Sequence, residues 1–335
     1  MDLTCSACVG AVGSVIFDYE TLGLSLETLI KLLVPLCSVV LDHDVCQGAV
    51  NNYAVNICLI KQTYLIYVMS NGNNLNYLQP EIKWIMDNRG LKAKRFCSIL
   101  LGGRCGDWEE VNGWDVSLPE GKPEPQDPVL PGNGSVSYKV LHLSDIHLDL
   151  SYKVGATSVC DLPMCCSNHT AMTDDPAKAA GYWGSYNCDL PHWTFEDMLL
   201  NIQEQHGDEI DYIMITGDYP AHDVWLQSRR SNLEHTRTVH DLVTKVFPDK
   251  MILPGVGNHE SFPCNSYPPK DLDVPEFSIQ WLYSELAEYY SSWLPEDLRP
   301  EFVDQFSQNG YYTLKIRPGL RLAMINPNGC LGYNL

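Results

Sequence analysis

Apolar residues return at helical spacing through the first hundred residues of the chain. Between Thr4 and about Gly106, hydrophobic positions recur every three or four residues, as on the buried face of an α-helix. Ser25 is a suitable N-cap for one such helix, because its hydroxyl can accept a backbone N–H of the first turn. The pattern predicts an all-α domain. The apolar face of the helix that Ser25 would cap comprises Leu26, Leu29, Ile30, Leu33, Val34 and Cys37.

After Ser137 the pattern changes, and short apolar runs alternate with longer amphipathic stretches. This alternation predicts a layered α/β domain, and two β-prone runs around Pro318-Gly319 predict a hairpin. The predicted strands are Tyr138–Leu143, Asp211–Thr216, Met251–Val256, Tyr311–Ile316 and Leu320–Ile325; the predicted helices are Thr194 to about Gln205, Leu233–Val246 and a core-packing helix around Ile279, Leu282, Leu286 and Tyr289.

Two stretches fit neither domain. Residues 108–137 are rich in proline, glycine and acidic side chains, so they predict an extended linker between a first domain, 1–107, and a second, 138–335. Residues 56–79 place a β-prone run and an asparagine-rich tail inside the helical region, and we interpret them as an inserted loop without an assigned function.

Charge and cysteine content restrict the function and the compartment. A formal net charge of -20 argues against a nucleic-acid surface, which needs clustered Lys and Arg. Thirteen cysteines favour disulfides in an oxidising compartment, although Cys5-x-x-Cys8 also resembles half a zinc site. Asn133 and Asn168 begin glycosylation sequons.

Membrane contact is expected to be peripheral. No uninterrupted apolar stretch of the sequence is long enough to span a bilayer. The first residues, Met1 to Cys8, have neither the basic nor the apolar region of a signal peptide, so we expect an incomplete N-terminus.

Three motifs, each at the carboxyl end of a predicted strand, carry the candidate chemistry: Asp145-x-His147, Gly217-Asp218 and Gly257-Asn258-His259-Glu260. Ligand sites of α/β sheets collect at these strand ends. Asp145 and His147 offer one oxygen and one imidazole to an ion, and the carboxylate of Asp218 can bridge two ions. Asn258 supplies an amide oxygen to the second ion, while His259 remains available for a substrate oxygen. Taken singly, such an Asp is usually a turn residue and a buried His is usually only hydrogen-bonded.

In this order and context, the three motifs resemble those of the calcineurin-like metallophosphoesterases. Residues 217–225 (GDYPAHDVW), residues 181–184 (GYWG) and residues 188–191 (CDLP) are similar to segments of the acid sphingomyelinases. Residues 161–166 (DLPMCC) match a disulfide knot of that family. Six of the seven cysteines of the first domain look like those of a saposin B-type domain, namely Cys5, Cys8, Cys37, Cys46, Cys97 and Cys105. The resemblance implies a multidomain fold, with an all-α saposin-like domain followed by an incomplete α/β calcineurin-like domain with a mixed sheet.

The resemblance also implies bonds and roles for individual residues. Asp145, His147 and Asp218 would bind one Zn²⁺, and Asp218 and Asn258 a second. His222 and His259 match residues near the scissile phosphate, where one could protonate the leaving oxygen; alternatively, His222 only makes a structural hydrogen bond. The implied disulfides are Cys5–Cys105, Cys8–Cys97, Cys37–Cys46, Cys160–Cys165 and Cys166–Cys188, a scheme that does not include Cys58, Cys264 and Cys330.

The sequence departs from the family pattern near its end. The family's dinuclear site needs three later histidines, and none follows His259. We therefore expect a shortened version of the enzyme that binds the second metal poorly and turns over little or no substrate.

Function is expected to follow the family: zinc-dependent hydrolysis of sphingomyelin to ceramide and phosphocholine by a lysosomal or extracellular monomer. A saposin domain would bring the site to phospholipid in a membrane, although its apolar helix face could also be plain core. Two alternatives stay open, a noncatalytic saposin-type lipid-binding protein and a metallophosphoesterase for another phosphodiester.

Overall fold

The computed structural model describes residues 137–330 except positions 161, 163, 225, 271 and 273, together with isolated positions before residue 137. The described residues from Lys139 on belong to one compact unit. The predictions for the helical domain, its three disulfides, the insertion at residues 56–79 and Asn133 lie outside the described residues. Cys5 is an exception, because it is described as buried and disulfide-bonded.

Strands and helices alternate through the middle of the described part of the chain, as the α/β pattern predicts. Two short 3-10 helices, Pro275–Phe277 and Pro327–Cys330, complete the set. In chain order, the other elements are β1 (Val140–Leu143), β2 (Leu148–Asp149), β3 (Leu190–Pro191), α1 (His192–His206), β4 (Tyr212–Ile215), α2 (Arg229–Val246), β5 (Ile252–Pro254), α3 (Gln280–Ser291), α4 (Arg299–Asn309), β6 (Tyr312–Arg317) and β7 (Leu320–Met324).

A parallel sheet with strand order β1-β4-β5 forms the centre of this unit. Val140 lies opposite Tyr212, and Ile213 lies opposite Ile252, so the strands are in register over their short length. Because all three strands run in the same direction, their carboxyl ends meet at one edge. Antiparallel pairing occurs in the separate β6–β7 hairpin, so among the described residues the two strand directions lie in different sheets rather than in one mixed sheet.

Helix α2 begins at Arg229, one turn before the predicted start at Leu233. Ser228 caps the helix, because its hydroxyl accepts the Ser231 N–H while the Ser231 side chain accepts the Ser228 N–H. Hydrophobic periodicity does not report such a turn, since its side chains are polar. On the buried face of α2, Val239 and Val243 pack into the core.

Helix α4 was not predicted. Its buried side chains are only Phe302 and Phe306, which lie one turn apart in an otherwise polar segment. Gly310 ends the helix with a left-handed φ of 67°. The following Tyr312 is buried, and its hydroxyl donates to the Pro254 carbonyl at 2.9 Å, which connects the hairpin to β5.

Residues 151–188, here called the disulfide-bonded segment, connect β2 to β3, and the residues described in this segment form no helix. Its backbone is held by turns and by isolated bridges such as Tyr152 to Ser167 and Thr157 to Ala179. The predicted disulfides Cys160–Cys165 and Cys166–Cys188 are both present. Asn168, in the same segment, is exposed, and its glycosylation stays a prediction. Nowhere in the described part of the chain is a helix both long and apolar enough to cross a bilayer.

Candidate metal centre

The loops that follow β1 and β4 lie side by side and carry three of the predicted ligands. The Asp145 N–H donates to the Gly217 carbonyl at 3.2 Å, and the His147 N–H donates to the Asp218 carbonyl at 2.9 Å. These bonds continue the pairing of the two strands beyond their ends. As a result, residues 73 positions apart in sequence face the same space.

Asp145, His147 and Asp218 all hold left-handed backbone conformations, with φ of 54°, 43° and 60°. Non-glycine residues rarely adopt this region, which costs each of them on the order of 1 kcal/mol. Such strain persists only where the surrounding structure imposes it, and it is concentrated at functional sites. Here the imposed turns direct all three side chains to the sheet edge.

The ligand atoms of Asp145, His147 and Asp218 lie within 4.8 Å of one another. The His147 Nε2 atom is 4.0 Å from Asp145 Oδ1. Two ligand atoms that each lie about 2.1 Å from one ion can be up to ~4.2 Å apart, so the 4.0 Å between His147 Nε2 and Asp145 Oδ1 fits a shared zinc-sized cation. One imidazole and two carboxylates are also a donor set that suits zinc. The residues therefore fit a metal ion.

His147 presents the correct nitrogen for metal binding. Its Nδ1 atom lies 2.9 Å from the Pro220 carbonyl, to which it donates a hydrogen bond, so Nε2 is left for a ligand. Burial, and then the neighbouring His222, lower the pKa of His147. A lowered pKa keeps the imidazole neutral, the form that binds a cation.

The Asp218 carboxylate is fixed by a backbone hydrogen bond. Its Oδ1 atom accepts the His259 N–H at 2.8 Å, which joins the loop after β4 to the loop after β5. Burial raises the pKa of Asp218, because a carboxylate loses hydration there. A bound cation would compensate for that loss.

Two glycines allow these loops to approach each other. Gly217 has a φ of 97°, and a Cβ at this position would overlap the backbone of Gly257. A Cβ on Gly257 would overlap the Asp218 carboxylate. Only residues without side chains therefore permit this spacing between the loops.

Asn258 directly precedes His259 in the loop after β5. Its side-chain amide nitrogen lies 4.0 Å from the Cys264 Sγ atom, and its carbonyl accepts the Asn265 N–H at 3.0 Å. Its role as a ligand stays a prediction.

Three histidine rings come together beside the carboxylates. The ring centroids of His147 and His222 are 3.8 Å apart, and each lies 4.8 Å from that of His259. Their ligand nitrogens also lie within 4.8 Å of one another. Burial, followed by His147 and His222, lowers the pKa of His259 well below its usual value.

Asp189 fixes the position of His222. Its Oδ1 atom accepts from His222 Nδ1 at 2.6 Å, and its Oδ2 atom accepts the His222 backbone N–H at 2.6 Å. Both side chains are buried. The Nε2 atom of His222 is buried and has no hydrogen-bond partner among the described residues, so this nitrogen is available to a ligand.

Glu260 joins the same two loops below the site. It is fully buried, and its two carboxyl oxygens accept the N–H groups of Tyr219 and Gly257, each at 2.8 Å. Burial, and then Asp218, raise the pKa of Glu260 to about 8. Glu260 therefore sets the distance between the loops rather than facing the ligand space.

Asp189 and Glu260 were not among the predicted site residues. Both lie within motifs that the sequence displays, Cys188-Asp189-Leu190-Pro191 and Gly257-Asn258-His259-Glu260. The available signal was an acidic residue inside an apolar or glycine-rich motif, where a solvated side chain is not expected. Their partners could not be identified, because His222 is 33 positions from Asp189 and Tyr219 is 41 positions from Glu260.

Comparison with known proteins identifies a family and several relatives that this chain resembles. Residues 138–322 match the calcineurin-like phosphoesterase family. The chain is 38% identical to a Homo sapiens sphingomyelin phosphodiesterase over 246 residues, which cover 73% of this chain and 38% of the human protein. It is 32% identical to sphingomyelin phosphodiesterase 1 of Caenorhabditis elegans over 313 residues, or 89% of this chain and 52% of the relative.

A more distant relative carries a different substrate in its name. The Bos taurus protein named cyclic GMP-AMP phosphodiesterase SMPDL3A is 27% identical over 206 residues, which cover 61% of this chain and 41% of the bovine protein. The chain thus spans about half or less of the length of these relatives.

Proposed function

Because the chain belongs to the calcineurin-like phosphoesterase family, we propose that it acts in the metal-dependent hydrolysis of a phosphodiester, with sphingomyelin as substrate and ceramide and phosphocholine as products. The observation that carries this proposal is the convergence of Asp145, His147 and Asp218 within 4.8 Å at the sheet edge. The names of the relatives that match most of this chain support the choice of substrate.

In this proposal, Asp145, His147 and Asp218 hold one Zn²⁺, and Asp218 and Asn258 hold a second. Zinc, when bound, neutralises phosphoryl charge and makes a nearby water more acidic. Asp218 suits the shared position because one oxygen already accepts the His259 N–H and fixes the carboxylate. His147 suits a ligand position because the Pro220 carbonyl directs its Nε2 atom away from the backbone.

His222 is proposed as the proton donor to the leaving oxygen. An alkoxide leaves poorly unless it is protonated, and an imidazolium close to it supplies that proton. Nδ1 donates to Asp189 Oδ1, so the proton would leave from Nε2. The Asp189 carboxylate would stabilise the imidazolium and hold its orientation. His259, whose lowered pKa favours the neutral ring, would face a substrate oxygen.

The remaining features of the proposal concern lipid access. Residues 1–107 would form a saposin B-type domain that contacts membrane phospholipid, joined by residues 108–137 to the catalytic domain. The disulfides Cys160–Cys165 and Cys166–Cys188 support function in an oxidising compartment, lysosomal or extracellular. We propose a monomer.

A second candidate is hydrolysis of a nucleotide phosphodiester. It is supported by the likeness to the bovine cyclic GMP-AMP phosphodiesterase, which is weaker than the likeness to the sphingomyelin phosphodiesterases. Parallel assays with sphingomyelin micelles and cyclic dinucleotides would separate the two. Vesicle binding without hydrolysis of any diester would instead favour a noncatalytic lipid-binding protein.

Zinc binding by the purified chain tests the proposal without requiring turnover. Equilibrium dialysis should detect bound zinc, and Asp218→Asn should weaken binding by about 100-fold or more, because an amide replaces a charged ligand. Asp197→Asn, an exposed acidic position on α1, is the matched control and should bind like the parent chain. Equal zinc binding by both variants would overturn the assignment of the site.

A further inference from the structure

Ten consecutive residues of the disulfide-bonded segment carry no charged side chain. This stretch, residues 179–188 (AAGYWGSYNC), is here called the aromatic turn. It exposes three aromatic residues: Tyr182 is 57% exposed, Trp183 is 59% exposed and Tyr186 is fully exposed. Soluble proteins do not usually cluster large exposed aromatic side chains in an uncharged stretch, so the turn is a candidate interaction surface.

The aromatic turn is fixed in place. Trp193 Nε1 donates to the Tyr182 carbonyl at 2.6 Å, and the Thr194 hydroxyl donates to the Trp183 carbonyl at 3.1 Å. The Tyr182 ring also packs 5.5 Å from the Trp193 ring. Cys188, the last residue of the turn, is bonded to Cys166. The exposed rings are therefore displayed on a constrained backbone.

The aromatic turn leads directly into the candidate site. Asp189 is the next residue, and its carboxylate binds His222 at 2.6 Å. Tyr186 precedes Asp189 by three residues, which limits their Cα separation to about 11 Å. A surface that the turn contacts would thus lie close to the proposed proton donor.

The chemistry of the turn fits the interface of a lipid bilayer. Trp and Tyr have apolar rings with one polar group, and they are enriched at the headgroup level of membranes. An uncharged stretch can enter this region without burying a charge. A net charge of -20 disfavours anionic lipid, so the matching surface is zwitterionic.

We propose that the aromatic turn docks the catalytic domain onto a zwitterionic, choline-headgroup bilayer through Trp183 and Tyr186. This inference rests on the proposed lipid substrate and adds a second contact to the one proposed for residues 1–107. Tyr182 supports the turn by packing on Trp193. The bilayer contact would hold the edge that bears Asp189 and His222 against the membrane surface.

Partition of the full chain into phosphatidylcholine vesicles tests the docking, and these vesicles contain no sphingomyelin. Trp183→Ala combined with Tyr186→Ala should weaken partition about tenfold, since it removes two apolar rings from the interface. The matched control combines Tyr311→Ala with Ile325→Ala, which removes two apolar side chains that are 50% and 72% exposed outside the turn. The control should partition like the parent chain.

A second measurement separates the turn from other membrane contacts. Vesicles of brominated phosphatidylcholine quench tryptophans that lie at the bilayer surface, so Trp183→Phe should remove part of the quenching seen with the parent chain. Unchanged quenching in that variant would overturn the proposal even if other residues bind vesicles. Failure of the parent chain to partition, or an equal loss in the control, would also overturn it.

These outcomes are independent of the proposed enzymatic function. A chain that binds vesicles through the turn but hydrolyses no phosphodiester would contradict the function and leave the docking intact. A chain that hydrolyses sphingomyelin micelles while Trp183→Phe leaves the quenching unchanged would contradict the docking alone.

Discussion

The strand-end loops and the disulfide-bonded segment meet at the candidate site, yet they are stabilised in different ways. The loops after β1, β4 and β5 are held by the buried core, by backbone bonds beyond the strands and by the close approach of Gly217 and Gly257. Residues 151–188 contain isolated bridges, turns and two disulfides, and they expose Val159, Met172 and the aromatic turn.

This difference suits the two regions to different roles. The ligand side chains need fixed separations of a few ångströms, and a packed sheet edge provides them. A surface for docking needs exposed apolar area, which a packed core cannot supply. Disulfides restrain such a segment without burying it. Asp189, the residue directly after the segment, joins the two regions through its bonds to His222.

Gly217→Ala should have the largest effect, because it forces a side chain into the space between two site loops. The Cβ would overlap the Gly257 backbone, and the φ of 97° is also unfavourable for alanine. We expect a loss of about 4 kcal/mol in unfolding free energy, from overpacking and backbone strain together. Urea denaturation measures it.

Gly319→Ala is the matched control. Gly319 has a φ of 81°, but no atom lies within 4 Å of a Cβ placed there. Only the backbone cost of about 1 kcal/mol should remain. Similar losses in both variants would show that close approach of the loops does not stabilise the site.

Removal of the Cys166–Cys188 disulfide should come next. Replacing both cysteines with serine frees a loop with a sequence separation of 22, for which chain entropy predicts a loss of about 3 kcal/mol. Removal of Cys160–Cys165, with a separation of 5, should cost about 2 kcal/mol. Zinc binding at Asp145, His147 and Asp218 should survive either change; its loss would contradict the division between the two regions.

Glu260→Gln should weaken the frame of the site by about 2 kcal/mol. Above pH 8 the carboxylate accepts one backbone N–H at each oxygen, whereas a glutamine places its own NH₂ against one of these donors and leaves that donor unsatisfied, so the comparison is made there. Urea denaturation reports the stability, and zinc affinity should fall with it. Glu234→Gln, at an exposed position of α2, changes the same functional group and should be neutral.

Asp149, where the two regions meet, should give a pH dependence rather than a fixed loss of stability. Burial raises the pKa of Asp149 from 3.8 to about 7. The Ser151 N–H opposes this shift, whereas the Asp223 and Asp189 carboxylates add to it. The folded state therefore holds a proton that the unfolded state releases, so this contribution is full below pH 4 and is lost as the pH rises to 7.

Asp149→Asn isolates that contribution in the metal-free protein. The amide oxygen can still accept the Ser151 N–H, so the fold is kept while the titrating group is removed. Stability of the parent chain should fall, relative to the variant, by at most about 1.4 kcal/mol per pH unit between pH 4 and 7. Denaturation at several pH values measures the slope; parallel curves would contradict the raised pKa.

The sheet and its ligand-bearing ends could be predicted from sequence, because apolar runs mark strands and the carboxyl ends of parallel strands meet. The predicted strand Asp211–Thr216 is observed as Tyr212–Ile215, and Asp145, His147 and Asp218 converge as expected. Both disulfides of the segment were also predicted, although from family resemblance rather than from geometry.

Contacts between distant polar residues could not be predicted. Helix α4 was not predicted, because two phenylalanines in an otherwise polar segment give little hydrophobic periodicity. The Asp189–His222 pair depends on β3 lying beside β2, and each of these strands has only two residues. Such short strands leave almost no hydrophobic pattern in a sequence.

The left-handed turns at Asp145 and Asp218 also restrict how the centre could be redesigned. In a saturation library at these two positions, each variant must first adopt the left-handed backbone conformation and must then bind an ion. Asparagine and glycine adopt this conformation, whereas valine, isoleucine and threonine do not, whatever their affinity for an ion. New ion preferences would therefore be easier to select at neighbouring positions that have ordinary backbone angles.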